Sequence, residues 1–113
     1  MSVIWWIKLE NKLRVWLDDE RPIPTGYDIH VRTANEAIEL LKTGKVEVIS
    51  LDHDLGDVGG ATGYDVAKFI AEAAFHNRIP RLCVRLHTMN PVGRDNMAAA
   101  IRQADKYWKE ESV

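Results

Sequence analysis

Two histidines in this 113-residue chain stand where acid–base chemistry could be done. His53 lies between two carboxylates in Leu51-Asp52-His53-Asp54-Leu55-Gly56, and His87 opens the polar stretch His87-Thr88-Met89-Asn90. A third polar cluster, Asp18-Asp19-Glu20-Arg21, follows the apolar run Leu13 to Leu17. Histidine changes charge near neutral pH, and a neighbouring carboxylate can hold one tautomer and favour the charged ring. Such a set suits general acid–base work; the same carboxylates could instead hold a divalent ion, since magnesium prefers oxygen ligands. Taken singly, each histidine reads more simply as a structural residue, so the functional reading rests on their joint occurrence.

The elements that must position these residues follow from hydrophobic patterning. Leu13 to Leu17, Asp28 to Arg32, Val46 to Leu51 and Leu82 to Leu86 read as strands. Val46, Val48, Ile49 and Leu51 form a buried run, and charges at its end are costly unless they face a polar cleft. Thr33 and Glu36 form a capping box that opens a helix with Ala37, Leu40 and Leu41 on its apolar stripe and Gly44 as its stop. Val66, Phe69, Ile70 and Ala73 mark a helix from Gly63 to about Phe75. Asn90-Pro91 resembles an N-cap and first helical residue, and Met97, Ile101, Ala104 and Trp108 mark one side of a final helix. Alternating strands and helices with apolar strands predict a parallel sheet covered on both faces. Three strands then end in polar residues on the carboxyl edge, where ligands bind in open α/β sheets.

Composition narrows the function classes. With 46% hydrophobic and 28% charged residues the chain reads as one globular domain over residues 1–113, with a core at 13–108 and an N-terminal extension at 1–12. A formal charge of −2 lacks the broad positive surface of a protein that grips duplex DNA. No apolar run is long enough to cross a bilayer, and the N-terminus lacks the pattern of a signal peptide, so cytoplasmic residence is the expectation. Cys83, the single cysteine, lies in an apolar stretch and is expected to be a buried thiol. Trp16 and Trp108 are expected in the core, and His30 and His76 as structural or exposed residues. Val3 to Leu9 is a candidate extra strand that protects an open sheet edge or pairs with a second copy in a homodimer.

The acidic pair after the first strand and Asp52 after the third resemble the two-component receiver, a flavodoxin-like three-layer α/β fold. That resemblance puts Asp52 at the phosphoacceptor position and Asp18 and Asp19 at magnesium-binding positions. The first crossover helix is replaced by the loop around Pro22, Pro24 and Gly26, and the receiver's last strand, last helix and strand-end lysine have no counterpart, so a truncated, mostly parallel four-stranded sheet is expected. A more specific resemblance runs from Leu13 to about Ala100. LDDERP, ISLDHDLG, TGYDV and HTMNPVGRDNM together resemble the cyclic-phosphate processing receiver-like domains, in which a histidine accompanies the receiver aspartate and another precedes an asparagine by three residues.

The resemblance implies a phosphoesterase that opens cyclic phosphates, on 2′,3′-cyclic RNA ends or small cyclic nucleotides, with His53 and His87 as the acid–base pair and Asp52 and Asp54 assisting. Asn90, Thr88, Arg21 and Arg94 are candidates for holding the ligand, the arginines by balancing phosphoryl charge. This reading requires no cofactor; Mg2+ or another divalent cation on Asp18, Asp19 and Asp52 is the alternative. Two other functions use the same residues: a non-catalytic cyclic-nucleotide sensor or sponge, and a degenerate receiver that signals through Asp52.

Overall fold

A computed structural model describes residues 13–56 and 60–111. The expected N-terminal strand lies outside the described residues. Four strands, β1 (Leu13–Leu17), β2 (Ile29–Val31), β3 (Val46–Leu51) and β4 (Cys83–Leu86), form one all-parallel sheet in the order β2-β1-β3-β4. Helices α1 (Ala34–Lys42), α2 (Gly63–Phe75) and α3 (Pro91–Glu111) follow β2, β3 and β4. The result is a receiver-like α/β fold.

Local signals fix the helix ends. Thr33 Oγ1 accepts from the Glu36 amide while the Glu36 carboxylate accepts from the Thr33 amide, the expected capping box. Gly44, at φ +74°, takes the left-handed conformation that turns the chain out of α1. Thr62 and Asp65 make a second capping box at the start of α2, which the apolar spacing alone did not identify. Met97, Ala104 and Trp108 of α3 are buried as their spacing predicts, and the Trp108 indole donates to the Ile79 carbonyl at 3.3 Å.

The core lies between the sheet and a single helical layer. α1 packs on α2 and α2 on α3, and beneath them Val15, Leu17, Ile49 and Leu51 are fully buried. The steps from β2 to β3 and from β3 to β4 run in one direction across the sheet, so right-handed crossovers put α1 and α2 on the same face. The step from β1 to β2 runs the other way. A helix there would cover the second face, but a loop makes that connection, and the described residues place no helix on this side. Arg14 and Arg85 are exposed there and Trp16 and His30 half-buried, so coverage of both faces is met on one face only. Cys83 corrects the expectation of a buried thiol: it is exposed, because β4 is the outermost strand and Cys83 lies on the face away from the helices.

Candidate functional site

The polar strand ends meet because the backbone ladder continues one residue beyond the strands. The Asp18 amide donates to the Val31 carbonyl at 3.1 Å, the Asp52 amide to Leu17 at 3.1 Å, and the His87 amide to Leu51 at 3.0 Å. Asp18, Asp52 and His87 are thereby set side by side past β1, β3 and β4.

Asp18, at the β1 end of this row, is fully buried. Its Oδ1 accepts from the amides of Glu20 and Arg21, both at 2.8 Å, which orders the loop after β1. Its Oδ2 lies 3.0 Å from His87 Nε2. Burial alone would raise the Asp18 pKa, but the Arg21 and Glu20 amides and His87 outweigh it, leaving the carboxyl below the usual range and ionised. For His87 the balance falls the other way. Burial pushes the ring below the ordinary histidine value despite the opposing pull of Asp18 and Asp52. Its Nδ1 is 2.7 Å from Ser50 Oγ, and its ring stacks on Trp16.

His53 builds the second half of the site. Its Nδ1 lies 3.0 Å from Asp54 Oδ1, an interaction that holds the Asp54 carboxyl below the usual range. Asn90 braces this half from the start of α3: Nδ2 donates to both Asp54 oxygens at 3.4 Å and lies 3.5 Å from His53 Nδ1. Its Oδ1 accepts from the Gly93 amide at 2.9 Å, the N-cap bond of α3 expected from Asn90-Pro91. Gly93 touches the His53 ring so closely that a Cβ there would overlap it, and a Cβ on Gly63 would overlap the Asp52 carbonyl. Both glycines let a helix start approach the end of β3. Asp52 Oδ1 accepts from the His53 amide at 2.8 Å, and no side-chain partner of His53 Nε2 is found among the described residues.

The remaining candidates brace the rim. Arg21 Nη1 donates to the His87 carbonyl at 3.0 Å and Arg94 Nη2 to the Thr88 carbonyl at 3.2 Å, so both arginines secure the turn between β4 and α3. Thr88 is buried, and its Oγ1 accepts from the Asn90 amide at 3.1 Å. Trp16 is part of the site, not simply a core residue, because it forms the wall behind His87. His30, expected to be structural or exposed, is structural: Nε2 lies 2.8 Å from the Asp18 carbonyl. Sequence reasoning missed Ser50, although one hydroxyl within the apolar run Val48-Ile49-Ser50-Leu51 was a visible signal.

A cleft of about 290 Å3 opens beside these groups, lined by Asp18, Asp19, Glu20, Asp52 and Asp54 against one cation, Arg21, together with Thr88 and Met89. Asp18, Asp52 and His87 each present one atom that could ligate a metal, all within 4.8 Å of one another. The Asp19 carboxylate lies instead against Gly56. Both His87 nitrogens already have protein partners, so the carboxylates are the natural donors, and their oxygens suit a hard cation such as Mg2+.

A parallel sheet in the order β2-β1-β3-β4, with an acid after β1, an aspartate after β3 and polar residues after β4, defines the class: a receiver-like α/β domain whose strand-end site carries two histidine–carboxylate pairs. A family model of the cyclic-phosphate processing receiver domain matches residues 13–103, and the chain belongs to that family. Comparison with curated proteins finds no match, and comparison with solved structures finds none. No helix among the described residues is long and apolar enough to cross a membrane.

Proposed function

We propose that this chain is a phosphoesterase that opens cyclic phosphates at the cleft beyond β1, β3 and β4. One observation carries the reading: His53–Asp54 and His87–Asp18 form two separate histidine–carboxylate pairs at neighbouring strand ends, with Asp52 between them. Ring opening needs a base to activate water and an acid to protonate the departing alkoxide. An ionised Asp54 accepts from Nδ1–H of His53, which leaves Nε2 bare and able to take a proton from water. On the other side His87 is the donor in its charged, doubly protonated form, which Asp18 and Asp52 favour; the neutral ring cannot serve, since giving up its Nε2 proton would leave an imidazolate.

The cleft's charge bears on the cofactor. Five carboxylates against one arginine repel a phosphate unless a cation intervenes, which favours the reading with a divalent ion over the reading without one. When bound on Asp18 and Asp52, such an ion supplies positive charge to the phosphoryl oxygens. The protein's own residues do the rest: Asn90 holds Asp54 against His53, and Arg21 and Arg94 keep the β4–α3 turn in place.

The test is incubation with nucleoside 2′,3′-cyclic and 3′,5′-cyclic phosphates, with Mg2+ and with EDTA, repeated for His53→Ala and His87→Ala. Product formation that falls by about 10²-fold or more in each variant is expected, the range for loss of a proton-transfer group. No product from any cyclic phosphate overturns the proposal, and thermal stabilisation by the nucleotide without product identifies a binding module instead.

A further inference from the structure

The mechanism proposed above uses His87 and Asp18 but leaves Ser50 unassigned. Ser50 is 2% exposed, on β3 between Ile49 and Leu51, and stands in register with Trp16 on one side and Arg85 on the other. A buried hydroxyl among apolar neighbours costs free energy unless it is hydrogen-bonded, and its partner here is His87 Nδ1 at 2.7 Å, a short contact.

Counting protons around the ring gives each hydrogen bond a direction. Asp18 Oδ1 already accepts two amides, and an ionised carboxylate can only accept. A bare Nε2 at 3.0 Å from Asp18 Oδ2 would set lone pair against lone pair, so Nε2 bears the hydrogen. In the neutral ring Nδ1 is then an acceptor, and the Ser50 hydroxyl must donate to it. The flat face of the ring lies on Trp16, which holds the ring plane so that each nitrogen keeps its own partner.

We infer that Ser50 is a positioning residue for His87: Asp18 sets the Nε2–H tautomer and the Ser50 hydroxyl donates to the bare Nδ1, completing a Ser50–His87–Asp18 relay in which the serine is the buried orienting end. With the hydroxyl enclosed behind the ring, this serine orients and does not attack. Its role in turnover rests on the reading of His87 as proton donor; the tautomer itself does not.

The experiment is long-range 1H–15N correlation of the histidine rings in the full chain at one pH where His87 is neutral, with its signals assigned by their loss in His87→Gln. A protonated Nε2 and a bare Nδ1 in the unsubstituted protein are expected, and a protonated Nδ1 overturns the inference. In Ser50→Ala the Nδ1 resonance shifts because the nitrogen has lost its donor, and in Ser50→Thr it stays near its original position; a His87 pattern in Ser50→Ala identical to that of the unsubstituted protein also overturns it. Should Ser50→Ala fail to fold, the unsubstituted protein still decides the tautomer. The spectra are read whether or not cyclic phosphate is hydrolysed, so failure here and failure of the proposed reaction are separate results.

Discussion

Trp16 and His87 lie face to face, their ring centroids 3.8 Å apart and their planes 8° from parallel. The contact joins β1 to the residue after β4, two strands apart in the sheet. It encloses one side of the imidazole while Asp18 and Ser50 engage its two nitrogens. The indole also meets Tyr27 edge-on, with centroids 5.3 Å apart, which ties the β1–β2 loop to the same wall. Packing thus shields His87 from water, which is why its protonation is disfavoured.

That enclosure makes stability depend on pH. The folded His87 pKa lies below its ordinary value of 6.5, so as pH falls the unfolded chain binds the proton first. The contribution is full above about pH 6.5 and is lost as pH drops through the lower folded pKa. Asp18 and Asp54, also lowered, act in the same direction in the more acidic range below about pH 4. Thermal melts from pH 7.5 downward should show Tm falling on acidification, and His87→Gln should flatten the upper part of that decline. An unchanged slope in the variant would place the cause elsewhere.

Gly93 should report on His53. A Cβ at this position overlaps the imidazole ring, while the backbone of α3 gains an alanine in place of glycine. Overpacking of this sort costs about 1–3 kcal/mol, partly offset by the better helix former, worth about 1 kcal/mol. Gly93→Ala should therefore fold with a modest loss of Tm and displace the His53 ring, lowering turnover far more than stability. Equal effects on both, measured by melting and by initial rates, would count against a positioning role.

Asn90 has two tasks that can be separated. Its Oδ1 caps α3 and its Nδ2 holds Asp54. Asn90→Ser should keep the cap to within a few tenths of a kcal/mol, whereas Asn90→Ala should cost about 1 kcal/mol in denaturant titration. Both lose the reach to Asp54, so both should reduce hydrolysis by a similar factor. Full activity in Asn90→Ser would show that the contact to Asp54 has no part in the reaction.

Cys83 should react in the native protein. It is exposed on the outermost strand, and it is the single cysteine of the chain. A thiol reagent should label about one site per chain at similar rates with and without denaturant, since exposure controls access. Protection that disappears only on unfolding would contradict this placement.

Much of the fold was legible in sequence because its signals are local. Thr33 and Glu36 announce a helix start within four residues, the spacing of Met97, Ala104 and Trp108 gives a buried stripe, and Asn90-Pro91 marks the cap of α3. The stacking of half-buried Trp16 on His87, where a core position was expected, and the exposure of Cys83 were not legible, since each depends on which strand is outermost and which face the helices leave.

The candidate site divides in the same way. By itself the sequence determined the residue types at three strand ends and gave His53 a carboxylate on either side; the structure pairs its ring with Asp54. Only the tertiary structure decided that His87 pairs with Asp18, 69 residues away, and with Ser50, 37 away. It also set Asp19 against Gly56, on the wall of the same cleft but outside the close cluster of Asp18, Asp52 and His87. Strand order and register choose these partners, and both are set by the packing of the whole sheet, which no short stretch of sequence contains.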